Sequence, residues 1–290
     1  MGWAWAKLEM QSLVVFSEFG AANLFFPWFQ KKEDKKITFS MPQSLSLKLK
    51  KSFHQSEHTN IILDKINFES LEEFYVAPTR INTYSEILSY AKSKSKRTYG
   101  LLDNWIFFED RIKDIYPDKI IVTDEWAMER ALTCFSGKCD IELIQNLYLD
   151  EIRLNLKLNP GYRNKIVYIH ALSDIHFEAK SGIHGVECIC KDIVTLRFLY
   201  PEDNVVIRMH PTVKKIPCVS TAYFQQNVLV GKLSISDNIS LEMDLIDAKL
   251  IVGIPSYSLY ISSQCGITTM QTRITNKNWY GPRFDYLDLT

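Results

Sequence analysis

"AKLIVGIPSYSLYISSQCGI", Ala248 to Ile267, reads as an apolar strand, a small-residue turn and a helix. Gly253 permits the tight turn, and Ser256 and Ser258 fall where the helix begins. Free backbone N–H groups and the positive end of a helix dipole are presented there, and a serine hydroxyl can cap them or bind phosphate. The pattern is that of an anion site at the carboxyl end of a strand, with ordinary helix capping as the alternative. Without glycines at P-loop spacing it is not an ATPase motif.

Working outward, the same strand-then-helix grammar recurs. "NVVIRMHPTVKK" (Asn204 to Lys215) is a second apolar strand, closing on Arg208, His210 and Pro211. Proline stops the strand by removing a donor, while imidazole and guanidinium at such an end can both contact a phosphate oxygen. A capped strand end with a structural histidine is the plainer reading. "KIVYIHA" (Lys165 to Ala171) is a third strand, and Val228 to Val230 a fourth, with helices near Gly185 to Leu199 and Leu241 to Asp247.

The first half repeats the alternation. Strands are expected at Leu13–Phe16, Ile61–Leu63, Phe74–Val76, Tyr99–Leu102, Lys119–Thr123 and Ile141–Ile144. Helices are expected at Gly20–Gln30, Tyr84–Lys92, Ile106–Ile115 and Glu125–Phe135. Between the halves, "NLYLDEIRLNLKLNPGYR" is polar and closes on Asn-Pro-Gly, strong turn punctuation. The reading is α/β throughout, with domains 1–155 and 156–290 and a cleft between two parallel sheets.

Composition narrows the function classes. Of 290 residues, 46% are apolar and 23% charged, a globular balance. Lys+Arg and Asp+Glu are 34 each, which argues against a nucleic-acid-binding surface. The 6 cysteines make no Cys-x-x-Cys pair and read as reduced thiols of a cytosolic protein. His170, His176 and His184 are not at metal-ligand spacing, so no metal is expected. No Gly-x-Ser-x-Gly or dinucleotide fingerprint is present. No 18-residue apolar run exists, although Trp3 and Trp5 suit a membrane interface and leave a peripheral membrane position open.

Carboxylates at strand ends supply candidate general bases. Glu18 precedes the first helix beside Gly20, Asp103 follows "YGLL", and Asp124 follows "IIVT", where a helix N-cap is the more natural role.

The set "LLDNW…DR", "PDKIIVTDEWAMERAL", "IRMHP" and "LIDAKLIVGIPSYSLYISSQCGI" resembles bacterial GT-B-type glycosyltransferase-like proteins of surface polysaccharide and capsule synthesis. It is most similar to the sialyltransferase and polysialyltransferase type, over most of the chain. The resemblance implies two Rossmann-like domains facing a central cleft, an N-terminal acceptor side and a C-terminal nucleotide-sugar side. It implies that His210 and Pro211 contact the nucleotide of a donor such as CMP-sialic acid, and that Ser256 and Ser258 hold its phosphate. The loops point to metal-independent inverting transfer to a glycan or lipid-linked glycan with no cofactor, Asp103 or, failing that, Glu18 acting as base, in a cytoplasmic protein whose peripheral position at the inner face of the plasma membrane is left open. Where that type carries two acids and a glycine, this chain reads Asp103-Asn104-Trp105. The departure leaves open a non-catalytic partner in polysaccharide assembly, alongside nucleotide-sugar epimerases and hydrolases of the same fold.

Overall fold

Short apolar segments alternating with helices build two parallel sheets in this computed structural model. It describes residues 11–16, 19–32, 36–41, 68–78, 83–105, 108–112, 115–159, 161–170, 186–209, 222–238, 240–272 and 281–287. The chain divides into two compact units, Met1–Tyr148 and Leu149–Thr290.

The first unit runs β1 (Gln11–Val15), α1 (Phe19–Gln30), β2 (Lys36–Ser40), β3 (Glu73–Val76), α2 (Thr83–Ser93), β4 (Arg97–Leu101), α3 (Phe108–Arg111), β5 (Lys119–Val122), α4 (Glu125–Phe135) and β6 (Asp140–Leu143). Its strands lie in the order β2-β1-β3-β4-β5-β6, all parallel. Parallel strands are covered on both faces, so the inner ones read as continuous apolar runs. Leu13, Val14, Phe74, Ile120 and Val122 are accordingly buried. Phe29 of α1 packs against Phe16, Phe39 and Tyr75. Glu73 is buried in this sheet and accepts hydrogen bonds from the Ser12 and Tyr75 hydroxyls at 3.0 and 3.1 Å.

The second unit takes up from α5 (Leu147–Leu158), which crosses the division. It continues through β7 (Lys165–Ile169), α6 (Val186–Leu199), β8 (Asn204–Arg208), α7 (Ala222–Leu229), β9 (Leu233–Ile235), α8 (Leu241–Leu245), β10 (Ala248–Gly253), α9 (Tyr257–Gln264), β11 (Thr268–Gln271) and β12 (Asp285–Tyr286). The order is β12-β11-β10-β7-β8-β9, again all parallel. Tyr168, Ile207 and Val252 from the sheet and Ile193 and Leu196 from α6 belong to one buried cluster. This is the Rossmann strand order, whose direction of winding reverses between β7 and β10.

Several sequence expectations need correction. The polar segment between the halves is helical over Leu147–Leu158, as α5, whose Leu149 and Ile152 are buried while Leu154 and Leu158 are exposed. Apolar residues on both sides blur its periodicity. Val228 and Leu229 end a helix instead of forming a strand, and Val230 follows in the turn. Gly231, at φ 70°, then turns the chain into β9. The helix expected over Ile106 to Ile115 is the single turn α3 among the described residues. Strands β2, β9, β11 and β12 match no strand expected from the sequence, and the strand expected at Ile61–Leu63 lies outside the described residues. No helix among the described residues is long and apolar enough to cross a membrane.

Candidate functional site

In the second unit, Arg208 of β8, Ile169 of β7, Gly253 of β10 and Gln271 of β11 pair in one row across the carboxyl edge of the sheet. The loops carrying both sequence motifs therefore leave from the same row. Two strand spacings of about 4.8 Å separate β8 from β10, so the two loops start roughly 10 Å apart. The end of β7 lies between them, at the reversal of winding where ligands of such sheets bind.

Gly253 is required by this packing. A Cβ there would come within 2.5 Å of the Ile169 carbonyl oxygen, a backbone atom that cannot swing aside. Three residues later Ser256, in extended conformation, caps α9 by accepting the Leu259 N–H at 3.4 Å. The hydroxyl of Ser258, in the first turn, is half-buried and receives no hydrogen bond among the described residues. At the far end of α9, Arg153 of α5 donates through Nε to the Gln264 carbonyl and through Nη2 to Gln264 Oε1, both at 2.9 Å. A cation at that terminus complements the helix dipole.

Arg208 is engaged within the fold. Its Nη1 donates to Asp244 Oδ2 and to the carbonyls of Ser240 and Asn238 at 3.0 and 3.3 Å. Asp244 is buried and its Oδ1 accepts from Ser236 Oγ and Asn238 Nδ2, both at 2.7 Å. This shell ties the end of β8 to the loop between β9 and α8. His170, just beyond β7, is buried and donates its N–H to the Arg208 carbonyl at 2.9 Å. His210, Pro211 and Glu18 lie outside the described residues.

In the first unit, Asp103 follows β4 and is buried. Its Oδ1 accepts from Arg111 Nη1 at 2.7 Å and from Asn104 Nδ2 at 3.3 Å. The other strand-end carboxylate, Asp124, is the N-cap of α4, as its sequence context suggested. It accepts from Ala127 N at 2.9 Å and from Trp105 Nε1 at 2.6 Å. The roles of Arg111, Trp105 and Asp244 are not legible in the sequence, because their partners come from other turns of the fold. Among the described residues no three His, Cys, Asp or Glu side chains gather as a metal site would need.

Two Rossmann-like α/β units with parallel sheets define the class: this is the GT-B fold. Over 94% of its length the chain superposes on 86% of the Methanocaldococcus jannaschii UDP-GlcNAc 2-epimerase solved with UDP-GlcNAc and UDP, with TM-score 0.65 and 12% identity. The Neisseria meningitidis UDP-GlcNAc 2-epimerase bound to UDP-GlcNAc is similar, with TM-score 0.59 and 12% identity over 92% of this chain and 84% of that one. The wall teichoic acid polymerase TagF matches with TM-score 0.51 and 11% identity, over 91% of this chain and 70% of that one. No protein-family model and no curated protein sequence matches the chain.

Proposed function

We propose that this chain binds a nucleotide sugar at the carboxyl edge of its second sheet. It transfers the sugar to a hydroxyl of a glycan or lipid-linked glycan in cell-surface polysaccharide synthesis. The observation that carries this reading is the register of Arg208, Ile169 and Gly253, from which the His-Pro loop and the serine-capped helix depart together. A helix N-terminus and an imidazole can then share a departing phosphate without a metal ion.

In the proposed step, Asp103 or Glu18 takes the acceptor hydroxyl proton. The acceptor oxygen attacks the anomeric carbon from the opposite face, and the bond to phosphate breaks with its electron pair leaving on the nucleotide. His210, Ser256 and Ser258 stabilise that charge. By resemblance the donor is CMP-sialic acid. The likeness to epimerases solved with UDP-GlcNAc supports a uridine donor and a second reading, epimerisation without an acceptor.

Thermal unfolding with CMP, CDP, UDP, GDP and their sugars tests binding, because a ligand selective for the native state stabilises it by about 2.7 kcal/mol at a hundred times its Kd. A selective shift with CMP-sialic acid supports the sialyl donor, and one with UDP-GlcNAc moves the donor to uridine. Products formed with donor alone then separate epimerisation from transfer. The absence of any shift sinks the enzyme reading and favours a non-catalytic partner in polysaccharide assembly.

A further inference from the structure

Gly20 stands in the first turn of α1, and Asp103 follows β4 by two residues. The two lie so close that a methyl group on Gly20 would overlap Asp103 Oδ2. A clash with a side-chain tip is ordinarily relieved by rotation about the side chain. Here rotation is restrained, because Arg111 Nη1 holds Oδ1 at 2.7 Å and both partners are buried, at 8% and 6% side-chain exposure. Turning the carboxylate away would break this buried ion pair. Oδ2 itself receives no hydrogen bond among the described residues. It is therefore the oxygen left to accept a proton.

We infer that Gly20 and Arg111 are positioning residues for Asp103. Arg111 fixes one oxygen, and Gly20 leaves the space that the other fills beside the N-terminus of α1. The role rests on the transfer reading above, in which Oδ2 takes the acceptor proton as the anomeric bond to phosphate breaks.

Two measurements test it. In a thermal-unfolding cycle, Gly20→Ala lowers Tm by roughly 2–8 °C in the native background, the range for modest overpacking. In an Asp103→Ala background the same change moves Tm by less than about 2 °C, since the overlapping oxygen is gone and alanine favours the helix. Arg111→Met joined to Asp103→Ala supplies a second background in which both members of the ion pair are gone. Equal losses in all backgrounds overturn the contact.

The second measurement is nucleotide release from UDP-GlcNAc and from CMP-sialic acid. Asp103→Asn is expected to abolish release. Gly20→Ala lowers kcat about tenfold or more with KM within about twofold, and Arg111→Lys retains more turnover than Arg111→Gln. Native kcat in Gly20→Ala beside an inactive Asp103→Asn overturns the positioning role alone. Full turnover in Asp103→Asn, or none in the unsubstituted protein, removes the base and the positioning role with it.

Discussion

Asp103 and Asp124 look alike in the sequence, each just beyond an apolar strand, yet their partners separate them. Asp124 accepts from a helix N–H and an indole N–H and is filled by its own neighbourhood. Asp103 keeps one oxygen for Arg111 and Asn104 and one without a hydrogen bond among the described residues. Tyr84 presents the same question as a single residue. Its hydroxyl is buried with no hydrogen-bond partner among the described residues, and burial pushes its ionisation well above the ordinary tyrosine value. The folded state thus holds this proton more tightly than the unfolded chain does. Stability from that difference is complete below about pH 10, the unfolded value, and falls as pH rises above it. Tyr84→Phe removes both the unsatisfied hydroxyl and its share of the alkaline loss. The expected result is a protein equal in stability at pH 7 or more stable by up to about 1 kcal/mol. Its urea midpoint should also decline less between pH 9 and 11; a loss of several kcal/mol at pH 7 would contradict this account.

At the scale of elements, caps and glycines decide where helices begin and strands end. Helix α4 starts at Glu125 because Asp124, extended at φ −151° and ψ 161°, turns its carboxylate back onto Ala127 N. That same carboxylate holds Trp105, which is buried in the loop that also carries Asp103. Asp124→Ala removes a cap and the hydrogen bond it accepts from a buried indole N–H, a combined cost of about 2–4 kcal/mol. Chemical denaturation measures it, and a cost below about 0.5 kcal/mol would mean that the loop does not depend on the cap. Helix α7 shows how element type can be misread. Its Val228-Leu229 end is exposed, with Leu229 at 86%, so it is an apolar run that belongs to no core.

At the scale of the whole molecule, the two units are separate parallel sheets, and the second has its reversal of winding between β7 and β10. The proposed donor site lies at the carboxyl edge of that sheet. Amide exchange in saturating nucleotide sugar is therefore expected to slow at the N-terminal turn of α9 and at the ends of β7 and β10. The opposite, amino end of the same strands should exchange unchanged. Protection confined to that opposite end would move the site elsewhere.

The sequence alone determined the α/β class, because apolar strands alternating with helical segments can bury their faces only as covered parallel sheets. It also marked two candidate loops, since Gly253 and Ser256 signal a tight turn and a helix cap locally and the His-Pro pair closes an apolar run in the sequence. Tertiary structure decided the rest. Strand order, the single row of Arg208, Ile169 and Gly253, the commitment of Arg208 to Asp244 and the clasp of Arg111 on Asp103 join residues from different elements. A local pattern encodes which backbone conformation a segment prefers. Which distant side chain fills the remaining hydrogen bond, or which glycine leaves room for it, is fixed only when the packed elements meet.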